Sequence, residues 1–366
     1  MNNAAAAPRP NVPAPAQLAA EARADAGFLA LLDRAGVSLI VTTAPNHIAC
    51  FGCLDGKLTA AFTPCELGIG IAVDHTRLAV AQPREAVIFV PSTRLAQYYP
   101  PRPKRYDVIY VPVATFRTGG TNIHDMILDG RSVVFANTRF SCISRSDGTA
   151  SFQTLWKPPF ISAVMPQDRC HLNSFAMSGR RVRYATAFAA SDAERGYRDM
   201  PLDSGVLIDV EANEIVADHL LKPHSVRLFN DELYVLNSAA GEVVQVDLAG
   251  RRSRVIAVLP GFTRGLHALD DVLLVGLSKM RPTAEHLDMP MARRHDELVS
   301  GIAAIDRRSG ALRGMLHLPG QIIEVMDFVP VPGVRCGYVQ DPAGQDPNVG
   351  IETTDGSYWM RAREAR

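Results

Sequence analysis

The chain has 366 residues, 47% of them hydrophobic and 21% charged, with 38 basic residues balanced by 38 acidic ones. That is enough apolar mass for a sizeable core, and zero net charge gives no electrostatic reason to expect a nucleic acid or an anionic membrane as partner. No apolar run approaches the roughly 18 residues that span a bilayer. The opening MNNAAAAPRPNVPAPAQ lacks the basic start and leucine-rich stretch of a secretory signal. Residues 1–16 are Ala/Pro-rich without periodicity, which predicts a disordered tail. Residues 17–35 are rich in strong helix formers, with Phe28, Leu29, Leu31 and Leu32 on one side, which predicts one short helix. After Gly36 the texture changes. Short β-branched and aliphatic runs alternate with Asp-Gly, Asn-Asp, Asp-Asp and Ser-Gly turn signals, and only 282–299 suggests another helix. This is an all-β pattern, hence a sandwich, a barrel or a propeller.

Six cysteines stand at 50, 53, 65, 142, 170 and 336. Cys50 and Cys53 form a lone CxxC within an alternating, strand-like stretch rather than at a helix start. Buried thiols in a reducing compartment fit better than a redox motif or a zinc ribbon, and the expected location is cytoplasmic.

Internal repeats decide the architecture. HSVRLFNDELYVLN from His224, RGLHALDDVLLVGL from Arg264 and HDMILDGRSVVFAN from His124 each place the end of a second strand thirteen positions after the first residue. His171 opens a copy two residues longer, Glu324 opens EVMDFVPVPG, and an earlier copy begins at Gly68. A second hairpin follows in the units, as in VLIDVEANEIV, VVQVDLAGRRSRVI and IAAIDRRSGALRGML. Two hairpins per repeat make a four-stranded blade, and starts 40 to 60 residues apart fit a six-bladed β-propeller over 36–345. Strands within 37–62 are expected to complete the last blade, so that no sheet edge stays open. Residues 346–366 are then a C-terminal extension.

The residue before each innermost strand sits at the mouth of the central channel. The alignment puts His124, His171, His224, Arg264 and Glu324 there, while the first blade offers only Gly68 or Ile69. Three imidazoles and a carboxylate suit a divalent transition metal such as Mn, Fe or Zn, with His124, His171, His224 and Glu324 as ligands. Arg264 suits an anion clamp. Asp125 or Asp327 is a candidate partner for a ligating imidazole, and Asn173 and Arg227 are candidate substrate contacts. His267 reads as a packed residue in mid-strand. Trp156–Phe160 reads as a rim or an anchoring loop, and Gly68-Ile69-Gly70 has no helix after it to make a phosphate loop. A polar residue at a blade start can instead brace a neighbouring backbone.

The runs TGGTNIHDM (118–126), FANTRFSCI (135–143), WKPPFISAVMPQDRCHLNSFAM (156–177), LKPHSVRLFNDELYVLNS (221–238), LPGFTRGL (259–266) and VGLSKMR (275–281) resemble a family of mostly bacterial conserved hypothetical proteins, a domain of unknown function. The resemblance covers roughly residues 37–336. It implies a six-bladed propeller distantly similar to the gluconolactonase and strictosidine-synthase class, and implies far less about activity. His124, Asp125, Asn137, Cys142, Arg169, His171, Asn173, His224, Arg264 and Glu324 match the family's motifs. Val226 stands where the family usually has Pro, and Gly196-Tyr197-Arg198 where it usually has Gly-Trp-Arg. The expected function is a metal-dependent lyase, hydrolase or isomerase acting on a small anionic or polyhydroxylated metabolite, with Arg264 holding the anion and Asp125 moving protons. The alternative is a non-catalytic ligand-binding or scaffold propeller.

Overall fold

The computed structural model describes residues 14–250, 252–279, 288–344 and 346–361. Most of the expected tail, residues 1–13, and residues 282–287 of the second expected helix lie outside them. The described part of that second stretch holds one short helix, Pro290–Arg294.

Six antiparallel sheets form the blades of a propeller. The first runs outward from the axis as Ile71–Val73, Leu78–Ala81, Ala86–Ser92 and Val108–Phe116. The second is Ile123–Asp129, Ser132–Asn137, Cys142–Ser146 and Gln153–Trp156, and the third Leu172–Ser178, Arg181–Ala187, Gly205–Asp209 and Glu214–Leu220. The fourth is Pro223–Phe229, Glu232–Asn237, Glu242–Asp247 and Arg252–Val258, and the fifth Phe262–Leu269, Val272–Ser278, Gly301–Asp306 and Leu312–His317. The sixth takes its innermost strand, Glu324–Pro332, from late in the chain and its other three, Val37–Ala44, His47–Leu54 and Lys57–Pro64, from early in it.

Strand alternation builds the core. Successive side chains point to opposite faces of a sheet, so one strand feeds the packing on both sides of its blade. Val133 packs toward the first blade with Ala72 and Ala79, and its neighbour Val134 toward the third with Leu172 and Ala185. Ile40 packs on the first blade, and Leu39 and Val41 on the fifth. The same rule separates the CxxC cysteines. Three residues apart on one strand, Cys50 and Cys53 join different clusters, and both are buried and free.

The helix-forming stretch folds as two helices, Pro15–Glu21 and Ala26–Ala35, with Arg23–Ala24 pairing on the outer edge of the fifth blade between them. Asp25 causes the break. One carboxylate oxygen accepts from Phe28 N at 2.8 Å to cap the second helix, and the other accepts from Met315 N at 2.8 Å on that blade edge. Gly337–Val339 covers the outer edge of the first blade in the same way, as a parallel strand on Val108–Tyr110. The C-terminal hairpin, Asn348–Glu352 with Ser357–Arg361, is pinned by Trp359, whose indole N–H donates to Leu95 O at 3.0 Å.

In four of the blades a side chain at or just past the channel end of the second strand ties that blade to the next. Thr42 Oγ1 donates to Ile69 O at 2.8 Å, Thr138 Oγ1 to Leu172 O at 2.6 Å, Ser238 Oγ to Thr263 O at 2.8 Å and Ser278 Oγ to Val325 O at 3.1 Å. These bonds set the height at which each inner strand begins, and so the level of the residues at the mouth.

Candidate functional site

The inner strands bring the five predicted mouth residues into one arc around the axis, in blade order. The His124 and His171 rings lie 4.8 Å apart, edge to face. His171 packs on Phe188 at 4.3 Å and Tyr197 at 4.8 Å, and Phe188 leads on to His224 at 5.2 Å. Arg264 Nε donates to His224 Nε2 at 3.4 Å, and Arg264 Nη1 lies 3.8 Å from Glu324 Oε2, beyond hydrogen-bonding distance. A second contact of Arg264 Nη1 is the Met326 thioether at 3.2 Å, a weak acceptor.

The inter-blade ties fix the tautomers of two imidazoles. Thr138 spends its only hydroxyl proton on Leu172 O, so toward His124 Nδ1, 2.7 Å away, it can only accept. His124 Nδ1 therefore carries the proton, shared with Asn122 O at 3.1 Å, and Nε2 carries the lone pair. His224 repeats the arrangement, with Lys222 O at 3.0 Å and Ser238 Oγ at 2.9 Å around Nδ1. The N–H that Arg264 directs at His224 Nε2 agrees with that tautomer. Burial holds both imidazoles well below the usual histidine range. The other charges of the mouth add to this, His171 before Arg264 at His124 and Arg264 first at His224.

His171 is built differently. It sits in left-handed backbone, at φ 51°, and its Nδ1 faces a carboxylate oxygen of Asp168 at 3.1 Å. Tyr197 donates its hydroxyl to the same oxygen at 3.2 Å. The second oxygen, Asp168 Oδ1, is buried with no hydrogen-bond partner among the described residues. The mouth thus holds two imidazoles backed by neutral groups and one backed by a carboxylate.

Further along the same strands, one residue after His124 and three after His224, Arg264 and Glu324, lies a second polar layer. Arg227 grips Asp125 with two bonds of 2.7 and 3.0 Å, and Asp125 also accepts from Phe175 N at 3.1 Å. Arg227 donates in turn to Phe175 O and Val226 O. Asp327 lies close by, its carboxyl pushed up to about 7 by burial and by the charge of Asp125. His267 is pushed down to about 3 by burial and by Arg227. Asp327 Oδ1 accepts from Phe328 N at 2.9 Å, so the second to sixth blades all contribute to this layer.

Several expected roles fall elsewhere. Neither Asp125 nor Asp327 backs an imidazole, because neighbours on a strand face opposite ways and the position three below is out of reach. Thr138, Ser238 and Asp168 do that work. Asp125 and Arg227 are engaged with each other instead of facing the mouth. Asn173 is a brace: its Nδ2 donates to Pro223 O of the next blade at 2.8 Å, and its Oδ1 accepts from Thr186 at 3.0 Å. His267 is packed, against Phe328 at 5.1 Å. His124, His171, His224 and Glu324 share the mouth with the Arg264 cation standing between His224 and Glu324. Among the described residues no group of three or more His, Cys, Asp or Glu is gathered as a metal-ligand set. As placed, these four side chains do not fit a metal ion.

Sequence reasoning missed Asp168, Tyr197, Thr138 and Ser238, yet two signals were present. Thr138, Ser238 and Ser278 each stand fourteen residues after a mouth residue, and Asp168 precedes His171 by three. A cavity of about 410 Å³ lies away from the axis, between the first helix and Tyr99, Tyr106 and Tyr338. A smaller one, about 240 Å³, reaches Asn122 and Ile123 at the mouth. No helix among the described residues is long and apolar enough to cross a membrane.

Comparison with known proteins supports the fold. A solved nidogen/laminin complex contains a chain that matches with a TM-score of 0.53 at 13% identity, covering 81% of this chain and 99% of its own. A protein of unknown function from Bacteroides caccae matches with a TM-score of 0.51 at 12% identity, covering 81% and 99%. At such identities the likeness is one of fold alone. No curated protein matches. The model of one family, described as Domain of unknown function (DUF4915), matches residues 26–339, and the chain belongs to that family.

Proposed function

We propose that the channel mouth binds a small metabolite carrying both an anionic group and hydroxyls. The observation that carries this reading is the setting of Arg264 among hydrogen-bond acceptors. His124 and His224 are fixed as neutral imidazoles with Nδ1 turned into the protein, and Glu324 adds a carboxylate. A carboxylate or phosphate arriving at the guanidinium would replace the weak thioether contact with a charge-assisted hydrogen bond. Hydroxyls on the same molecule would donate to His124 Nε2 and Glu324. Phe188, Tyr197 and Phe262 give this polar centre an aromatic wall, as in many metabolite sites.

Calorimetric titration with glycolate, glycerate, gluconate, malate and inorganic phosphate tests the reading. Saturable binding of at least one hydroxylated anion, lost in Arg264→Met, is expected. If none of them binds, the reading fails.

The Asp168–His171 pair favours a second, catalytic reading of the same mouth. A carboxylate on Nδ1 steadies the imidazolium formed when Nε2 takes a proton, which is what a general base requires. Lyase, hydrolase and isomerase chemistry all begin with such a step. Proton NMR of the bound panel would show conversion that His171→Gln abolishes, or no conversion and a binding protein. Metal analysis of the purified protein decides the metal-dependent version. A stoichiometric transition metal that is lost in His171→Ala would mean that the mouth contracts into the four-ligand arrangement.

A further inference from the structure

The larger cavity, about 410 Å³, lies on the rim of the propeller and shares no lining residue with the five residues of the channel mouth. Ala16 and Ala19 of the first helix, with Ala60 and Phe62 of the strand Lys57–Pro64, give it apolar walls. Tyr338, on the strand that covers the first blade, joins Tyr99 and Tyr106 from the connection between Ala86–Ser92 and Val108–Phe116. The three rings form one cluster. Tyr106 and Tyr338 stack at 5.1 Å, and Tyr99 meets them at 5.2 and 5.9 Å. The charged part of the lining is Asp341, Asp346 and Arg105. Asp341 is buried, and its Oδ1 accepts from Ala343 N at 2.8 Å. Asp346 accepts from Asn348 N at 2.8 Å with one oxygen and from the Tyr338 hydroxyl at 3.1 Å with the other.

We infer that this cavity binds a small organic ammonium ion carried on an apolar body. The walls are richer in acceptors than in donors. Tyr338 spends its hydroxyl proton on Asp346, so it and the two carboxylates offer a ligand only lone pairs, and each carboxylate oxygen has a second one to give. Burial, with Tyr106 and Asp346 nearby, pushes the Tyr99 phenol up to about 12, so it stays neutral. Carboxylates outnumber the guanidinium two to one. Arg105 lies over the Tyr106 ring, 5.4 Å from its centroid, so the ring cluster already holds one cation. An anion entering here would meet that single exposed guanidinium and two carboxylates that repel it. An ammonium N–H instead gains a charge-assisted hydrogen bond to a carboxylate, while carbons attached to it leave water against Ala16, Ala60 and Phe62. At roughly 30 Å³ per water-sized group, the space suits about a dozen non-hydrogen atoms.

Calorimetry with 2-phenylethylamine, 2-phenylethanol and 3-phenylpropionate is the experiment, because the three share one body and carry a cationic, a neutral and an anionic head. The amine should bind saturably, and the alcohol and the acid at least about ten-fold more weakly. Asp346→Asn should weaken the amine by about ten-fold or more and leave the alcohol unchanged. Arg105→Gln removes a like charge and should tighten the amine. Ala16 is exposed on the helix at the edge of the cavity, so Ala16→Leu should fold normally and weaken the amine by taking up space. Arg264→Met should bind the amine as wild type does, which places the ligand away from the mouth. The inference is overturned if the amine does not bind, if the alcohol or the acid binds as well as the amine, or if Asp346→Asn and Ala16→Leu both leave its affinity unchanged. Loss of amine binding in Arg264→Met also overturns it. None of these results bears on the binding of hydroxylated anions at the mouth.

Discussion

The inner strands carry two polar layers, and the two layers solve the problem of buried polarity in opposite ways. In the lower one, opposite charges meet with short bonds, and Asp125, Arg227 and the Phe175 backbone occupy one another's hydrogen-bonding capacity. In the upper one, Arg264 stands 3.4 Å from an imidazole, 3.2 Å from a thioether and 3.8 Å from a carboxylate. A layer that completes itself holds blades together. A layer at the channel mouth is placed to meet a ligand.

Breaking the lower layer should have the largest effect. Arg227→Met leaves Asp125 buried without its cation and should cost about 3–5 kcal/mol in urea unfolding. Asp125→Leu combined with Arg227→Met should recover much of that loss. If the double variant is no more stable than the single one, the guanidinium acts by packing and not by charge.

Arg264→Met makes the corresponding cut in the upper layer and should behave in the opposite manner. Stability should fall by less than at Arg227, while affinity for a hydroxylated anion falls at least thirty-fold, or about 2 kcal/mol. Equal losses of stability at Arg227 and Arg264 would erase the distinction between the layers.

The pH response gives a further test. Asp327 has its carboxyl raised to about 7 from an ordinary value of 3.8, so its contribution to stability is complete below about pH 4 and is lost as the pH rises through 7. His124 and His224 are depressed, so the unfolded chain binds the extra protons and their contribution is lost as the pH falls below about 6.5. The two trends oppose each other between pH 4 and 6.5. Asp327→Asn should remove only the first and leave a steeper loss toward acid. Identical profiles for wild type and Asp327→Asn would contradict the assignment.

The smallest expected effect belongs to the ties. Thr138→Val removes one buried hydrogen bond to Leu172 O and the acceptor behind His124 Nδ1, at a cost of about 1 kcal/mol. In nitrogen-15 spectra of the imidazoles, the wild type should show His124 as the Nδ1–H tautomer, and the variant a mixture. A mixture already present in wild type would remove the tautomer argument.

The fold was legible in the sequence because a repeat is a long-range signal, and six copies at recurring spacing leave few architectures open. The same alignment brought His124, His171, His224, Arg264 and Glu324 to one level. It did not show which way each side chain turns. Asp125 was read as a neighbour of His124 because it follows it, yet strand alternation sends it to a partner 102 residues away. Asn173 was read as a contact for a ligand, while the backbone it braces belongs to the next blade. The Asp168–His171 pair was hidden because it forms in a loop before a strand, where periodicity says nothing. The split of residues 17–35 into two helices depends on Asp25 finding a blade edge nearly 300 residues away in sequence, which no local propensity encodes.

The sixth blade also gives the molecule a history. Val37–Ala44 is apolar along most of its length, yet the strand that pairs with it, Glu324–Pro332, is made only after the five blades between them. During synthesis the first part of the chain therefore waits with an open, sticky edge, which makes this stretch the place where a helper protein or an aggregate would take hold. The mouth inherits the same schedule. Its last member, Glu324, arrives on the strand that shuts the circle, so a chain that stops short of Glu324–Pro332 cannot assemble the site.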